Sequence, residues 1–334
     1  MYNKMNAGLI GCGDYLRWEI DEINKSQFFK VKYTYDPKKE KSIGIADKIN
    51  SVSVDDPDKI FDDPEISIVL IFTPPWIRKE YFRRAVDSGK HIITTKPLAP
   101  NLKEAEYLYN MVKNRIQCEV FYARSGNPSV ESLKSILSSG EIGNLALYKE
   151  DWFHHYPKWN NWATDPEKNG GPFMDAMIHN LNKSKYLIGS QVKSLNFFSE
   201  NYSQSLKCND TELMKINFEN GAASLLFITW AADLEIYDEK GNDRMHIGIQ
   251  HIITDKGWYI TEEEKGGEHF IKAVKETEKK NWKVNPLKYT RYDQFCTDIQ
   301  ENRSPKLDIS EALEDIRIWT EATINKTGAS KINP

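Results

Sequence analysis

The chain is expected to join two domains. Residues 1–122 read as an α/β unit, a doubly wound parallel sheet of the Rossmann kind, and residues 123–334 as an α+β domain with a large, mainly antiparallel open sheet. Three observations predict this. Short apolar runs alternate with helix-patterned stretches through the first 122 residues, as in a parallel sheet wrapped by crossover helices. The second half strings strand after strand, with Asn220-Gly221 as a hairpin turn. The 334 residues are enough for two domains with separate cores.

Each element follows from its local pattern. Residues 5–10 are an apolar strand, Gly11-Cys12-Gly13 a turn, and 15–23 a helix. Residues 31–35 form the next strand, which ends at Asp36, and 38–49 the next helix. A short strand lies near Val52, and 66–72 is apolar and β-branched enough for a central buried strand. Thr73-Pro74-Pro75 breaks it; a helix at 77–87 stops at Gly89, strand 91–95 follows, 102–113 is helical and 117–122 is the sixth strand. Residues 129–138 read as a linking helix. Strands are expected at 145–153, 192–199, 211–218, 222–230, 245–254 and 258–261, with a helix at 172–188 and an amphipathic closing helix at 308–325. The Lys- and Glu-rich stretch 262–288 reads as a solvated surface segment. One face of the second sheet is expected to lack a covering helix, which suits association of subunits.

Composition excludes several classes of function. The 45 basic and 49 acidic side chains leave a formal charge of −4, which argues against nucleic acid or an anionic membrane as partner. No apolar run reaches the length of a membrane span, and no apolar signal region precedes the first strand. Cys12, Cys118, Cys208 and Cys296 are widely spaced and fit neither a zinc knuckle nor a disulfide framework, so a reducing, cytoplasmic location is expected.

In a doubly wound sheet the ligand sits beyond the carboxyl ends of the strands. Gly11 and Gly13 allow a tight turn and close approach of a pyrophosphate to the following helix, where Asp14 and Tyr15 stand. Asp36 closes the second strand, where a carboxylate can accept both ribose hydroxyls of an adenosine and repel a 2′-phosphate. Lys38 and Lys39 oppose that repulsion, so NAD is preferred over NADP only moderately. Leu16 replaces the third glycine of Gly-x-Gly-x-x-Gly; strand, turn, helix and an acid twenty residues beyond Leu16 support a dinucleotide site all the same. Lys96-Pro97 leaves the fifth strand at the same sheet edge, and an ammonium there would stabilise a developing alkoxide.

The most chemical stretch is Gly170-Gly171-Pro172-Phe173-Met174-Asp175-Ala176-Met177-Ile178-His179. Asp175 and His179, at i and i+4, share a helix face, and a histidine beside a carboxylate exchanges protons near neutral pH. A capping acid and a core histidine are the alternative. Met174, Met177, Ile178 and Leu181 make an apolar stripe, while Asp175, His179, Asn182 and Tyr186 make a polar one. Upstream, His154-His155-Tyr156-Pro157-Lys158-Trp159-Asn160-Asn161-Trp162 is an aromatic loop. It either folds its aromatics into a small core of their own or offers His154, Tyr156, Trp159 and Trp162 to a pyranose or cyclitol. The His and Asp spacing matches no compact metal motif, so no metal is expected.

The order of these parts resembles the Gfo/Idh/MocA oxidoreductases, named for glucose-fructose oxidoreductase, inositol dehydrogenase and a rhizopine-catabolism protein. The resemblance covers nearly the whole chain and rests on Gly-Leu-Ile-Gly-Cys-Gly at 8–13, Thr73-Pro74, Ala85 through Gly89-Lys90-His91 to Lys96-Pro97, and Gly170-Gly171 through His179. It implies that Lys96 is the catalytic lysine, Asp175 the acid and His179 the histidine, with Thr73, Pro74, Arg124 and Trp162 on the nicotinamide side. Three departures stand out: Thr95 where a glutamate commonly precedes Lys-Pro, Arg78 where a histidine is common, and Leu16 where a small residue is usual. The implied activity is reversible hydride transfer between a nicotinamide cofactor and a hydroxyl carbon of a sugar or cyclitol. A redox-neutral NAD-dependent hydrolase or lyase and a non-catalytic sugar or nucleotide sensor are the alternatives, and a dimer or tetramer is expected.

Overall fold

In the computed structural model, residues 2–154, 162–232 and 246–324 are described. They form two compact units, one of residues 1–126 and 287–316, the other of residues 127–286 and 317–334.

The first unit is built on six parallel strands: β1 (Met5–Ile10), β2 (Phe29–Tyr35), β3 (Val52–Ser53), β4 (Ile66–Ile71), β5 (His91–Thr95) and β6 (Cys118–Phe121), in the order β3-β2-β1-β4-β5-β6. The order reverses direction between β1 and β4, leaving a crevice at the carboxyl ends of β1, β2 and β4. Ile68, Val69, Leu70 and Ile71 are wholly buried, as a central strand covered on both faces must be. After β1 the expected helix at 15–23 is a 3₁₀ turn, Asp14–Trp18, followed by the short helix Ile20–Lys25. Leu16 explains the change: with a side chain where close helix-to-strand packing wants glycine, it is fully buried in the core of the sheet.

Residues 287–316, expected in the second domain, return to the first. Tyr292, on the helix Arg291–Gln300, stacks on Phe29 with centroids 4.8 Å apart and meets Phe121 edge-on at 5.3 Å. The buried Asp293 carboxylate accepts the backbone N–H groups of Gln27 (3.0 Å) and Phe28 (2.6 Å). Leu307 and Asp308 then cover the free edge of β6, where Val120 N–H donates to Leu307 O at 2.9 Å. These contacts join residues far apart in sequence, and local patterning carries no trace of them.

Among its described residues the second unit holds eight strands: β7 (Leu145–His154), β8 (Val192–Glu200), β9 (Thr211–Phe218), β10 (Ala223–Thr229), β11 (His246–Thr254), β12 (Tyr259–Lys265), β13 (Glu268–Lys275) and β14 (Glu278–Lys283). Their order is β14-β13-β12-β11-β7-β10-β9-β8, antiparallel except for the parallel β7–β10 pair. Residues 262–288 are therefore not a solvated segment. They finish β12 and supply β13 and β14, with Gly266-Gly267 at φ +62° and +78° turning the first hairpin. The charges misled because the period-2 pattern is thin there: Ile271 and Ala273 are buried, while Lys and Glu line the outer positions and protect the sheet edge.

Candidate active site

The glycine turn after β1 is dictated by its neighbours. Gly11 has φ +95°, and a Cβ there would stand 2.7 Å from the Phe72 carbonyl oxygen and 2.9 Å from its carbon, so only glycine fits between β2 and β4. Its N–H donates to Tyr35 O at 2.9 Å. Gly13 is different: its backbone is extended (φ −82°, ψ −174°), and a Cβ would meet nothing within 4 Å. Asp14 is exposed and Tyr15 packs edge-on against Phe72 at 5.1 Å. Asp36 is half-buried and does more than close β2. One carboxylate oxygen accepts the Cys12 N–H at 2.8 Å, and the other the Lys38 N–H at 2.8 Å, so the acid fixes the glycine turn to the end of β2. Each oxygen keeps a further lone pair.

After β4, Thr73 is buried and its Oγ1 has no hydrogen-bond partner among the described residues. Pro74 leads into the short turn Pro75–Ile77. After β5, Lys96 is half-buried, its N–H donating to Phe121 O at 3.1 Å, and the Lys96–Pro97 peptide is cis. Between these two turns lies a residue whose role sequence reasoning missed. Arg78 is 2% exposed. Its Nε donates to Thr73 O at 3.0 Å, Nη1 to Thr95 O at 2.6 Å and to Pro97 O, and Nη2 to Thr95 Oγ1 at 3.0 Å. Burial pushes this guanidinium down to about 9, which leaves it charged at neutral pH. The signal was present in the sequence, since both unusual residues, Arg78 and Thr95, are partners in this one contact.

Two other motif residues are architectural. Lys90 is buried, and its ammonium holds the carbonyls of Asp63 (2.8 Å) and Ile66 (2.7 Å) at the start of β4. His91 accepts the Gln117 N–H on Nδ1 at 3.0 Å, and burial lowers its pKa. Arg124 is buried and paired with Glu311 at 2.7 Å, so it braces the end of β6 against the helix Ile309–Ile324.

In the second unit, the expected helix at 172–188 begins as a π-helical turn, Phe173–Met177, and continues as the α-helix Ile178–Ile188. Such turns widen the spacing of side chains and recur at functional sites. Glu212, on β9, accepts the Phe173 N–H at 2.7 Å and satisfies one orphan donor at the helix start. From Gly171 to Asn180 every residue is buried except Asp175 and His179, which are half-buried. The apolar stripe of Met174, Met177, Ile178 and Leu181 is fully buried. The polar stripe continues differently from expectation: Asn182 is buried, and the accessible residue after His179 is Lys183, whose Nζ lies 3.1 Å from Glu150. Asn182 falls toward the apolar side of a 3.6-residue turn, whereas Lys183 is at i+4 from His179.

Asp175 Oδ1 accepts from Asn169 Nδ2 at 3.2 Å. Asn169 is 1% exposed, and its own Oδ1 has no partner among the described residues. His154, expected in the aromatic loop, is instead the last residue of β7 and is buried. Its Nδ1 accepts from Trp230 Nε1 at 3.1 Å; because an indole N–H only donates, neutral His154 carries its proton on Nε2. Trp162 packs against Ala163, Cys208 and Trp230. Tyr156 and Trp159 lie outside the described residues.

Comparison with known proteins assigns the chain. Residues 5–122 match the Gfo/Idh/MocA model described as an oxidoreductase family with an NAD-binding Rossmann fold, and residues 130–247 match the Gfo/Idh/MocA C-terminal domain. The chain belongs to the Gfo/Idh/MocA oxidoreductase family. Among its relatives in this family, a scyllo-inositol 2-dehydrogenase (NAD(+)) of Bacillus subtilis is 30% identical over 51% of this chain and 50% of its own length. The first curated relatives are matched over half to about two thirds of their length. Two solved structures share the fold over almost all of both chains. Aldose-aldose oxidoreductase from Caulobacter crescentus has TM-score 0.81 at 16% identity, covering 96% of this chain and 97% of its own. A levoglucosan dehydrogenase in complex with NADH has TM-score 0.78 at 20% identity, covering 97% and 98%.

The residues present fit the dinucleotide that this family's fold implies. Gly13 leaves open space where a side chain would stand, the Asp36 carboxylate retains acceptor capacity, and the Thr73 hydroxyl is a buried polar group awaiting a partner. No helix among the described residues is long and apolar enough to cross a membrane.

Proposed function

We propose that this chain is a dehydrogenase acting on a hydroxyl carbon of a sugar, sugar derivative or cyclitol, with NAD preferred over NADP. One observation carries the reading: in a run of ten otherwise buried residues, only the acid Asp175 and the histidine Asp175 would orient, His179, keep access to solvent. A structural acid and a core histidine would be buried with the rest. The substrate class is supported by relatives named for scyllo-inositol and levoglucosan. The preference for NAD rests on Asp36, whose charge disfavours a 2′-phosphate, against an exposed Lys38.

In this mechanism His179 takes the proton from the reacting hydroxyl. Asp175 stabilises the imidazolium that results, and Asn169 holds Asp175. Lys96 places its ammonium beside the alkoxide. Gly11, Gly13, Asp14, Tyr15, Asp36, Lys38, Thr73 and Pro74 would hold the cofactor, and bound nicotinamide supplies the hydride acceptor. Arg124 is better read as a brace than as a cofactor contact. Proton transfer of this kind contributes roughly 10²–10⁴-fold, and the charge of Lys96 a term of similar size.

The chain is further proposed to work as a homo-oligomer in the cytoplasm. Phe153, Ile247 and Ile249 are about half exposed on the outward face of β7 and β11, an apolar surface suited to a second copy. All four cysteines are free, as in a reducing compartment.

The deciding experiment is stoichiometric. A panel of monosaccharides and inositols should yield one NADH per molecule oxidised, and Lys96→Met should lower kcat a hundredfold or more with NADH affinity kept. Release of an aglycone over many turnovers on one bound NAD, with no net NADH, would favour the redox-neutral hydrolase or lyase.

A further inference from the structure

We propose that Arg78 is a positioning residue of this reaction, a single buried cation that clamps the turn carrying Thr73 to the turn carrying Lys96. The inference rests on the reading of Lys96 given above and extends it to a residue outside that mechanism.

The geometry is specific. A guanidinium has five N–H donors in a rigid plane, and at Arg78 all three nitrogens are engaged with the two turns. One edge holds the carbonyl of Thr73, at the exit of β4. The other edge holds both the carbonyl and the hydroxyl of Thr95, immediately before Lys96, and the carbonyl of Pro97, immediately after it. Lys96 thus sits between two residues fixed to the same planar group. Among the described residues no carboxylate is paired with Arg78, and its partners are backbone carbonyls and one hydroxyl, all neutral. A fork of neutral acceptors fixes direction while adding no negative charge beside the ammonium. The Thr95 hydroxyl makes the arrangement possible. A carboxylate in its place would pair with the guanidinium and place a negative charge next to Lys96.

A clamp of this kind predicts an order effect on Lys96 that is separable from stability. Lysine at this position has one donor atom and cannot reach both turns, so Arg78→Lys keeps the charge and loses the bridge. Thr95→Val removes one of the hydrogen bonds, the Nη2–Oγ1 contact, and leaves the backbone bonds in place. In Arg78→Lys, kcat should fall at least tenfold while KM for NAD changes less than threefold, and in Thr95→Val kcat should fall two- to tenfold with the same unchanged KM. Hydrogen–deuterium exchange should rise in peptides covering residues 72–78 and 94–99 in Arg78→Lys, with the other strands of the sheet unchanged.

The outcomes separate. If Lys96→Met is inactive while Arg78→Lys and Thr95→Val turn over as wild type, the positioning role is wrong and the reading of Lys96 stands. If Lys96→Met turns over as wild type, the reading of Lys96 fails and the proposal with it. Should Arg78→Lys not fold, Thr95→Val decides alone: wild-type kcat overturns the clamp. Unchanged exchange in both turns of a folded Arg78→Lys overturns it whatever the activity.

Discussion

Replacing each glycine of the first turn by alanine should produce opposite effects, and the contrast tests where the fold ends and the ligand begins. At Gly11, an alanine must adopt φ +95° and bring its methyl to 2.7 Å from the Phe72 carbonyl oxygen, about an ångström inside ordinary contact. Left-handed backbone in a residue with a Cβ costs roughly 1–2 kcal/mol, and overpacking against rigid backbone adds about 1–3 kcal/mol. The total of roughly 2–5 kcal/mol corresponds to a fall in Tm of roughly 3–7 °C, at an unfolding entropy of about 2.1 cal/mol/K per residue. At Gly13 the backbone is one that any residue adopts, and among the described residues, its two chain neighbours apart, no atom lies within 4 Å of the new methyl. Gly13→Ala should therefore keep or slightly raise Tm, since removing a glycine where φ permits stabilises by about 0.4–1 kcal/mol. If that open space receives the pyrophosphate, however, the methyl meets the ligand, and a clash of about 1–3 kcal/mol lowers NADH affinity roughly 5- to 150-fold. Differential scanning fluorimetry and titration of NADH fluorescence measure the two quantities on the same samples. Wild-type NADH affinity in a stable Gly13→Ala protein would place the cofactor elsewhere, and wild-type Tm in Gly11→Ala would refute the strain argument.

Asp36→Ala should weaken NAD by roughly 1.5–3 kcal/mol, the scale of hydrogen bonds to a charged group, while NADP loses less or gains; it should also lower Tm, because the carboxylate accepts the Cys12 N–H. Equal losses for both cofactors in isothermal titration would place Asp36 outside the adenosine pocket. Asn169→Ala removes its hydrogen bond to Asp175 Oδ1, and at about 1 kcal/mol for one hydrogen bond kcat should drop roughly fivefold with NADH affinity unchanged; an unaltered kcat would refute a positioning role for Asn169. Burial, with Asp298 close by, pushes the Glu119 carboxyl up to about 8. Between the ordinary carboxylate range and that value the folded state binds the extra proton, so stability should decline as pH rises through this window. Glu119→Gln should flatten the decline of Tm between pH 6 and 8.5, and an identical slope in both proteins would assign it to other groups.

The strands of the first sheet, the shared accessibility of Asp175 and His179 within a buried run and the family were legible in the chain alone because they rest on local rules: apolar period, turn residues and side chains four positions apart. Periodicity failed where charge diluted it, at β13 and β14, and where one side chain changed the helix type, at Leu16. The long-range partnerships were invisible. Nothing near Tyr292 says that it stacks on Phe29, nothing near Asn169 says that it holds Asp175, and the unusual residues Arg78 and Thr95 read as two unrelated departures until their 3.0 Å contact joined them. The contacts of Arg124 with Glu311 and of His154 with Trp230 are of the same long-range kind. Local sequence fixes which conformations a segment prefers; which buried donor meets which acceptor is set only when distant segments pack and each desolvated polar group must find a partner.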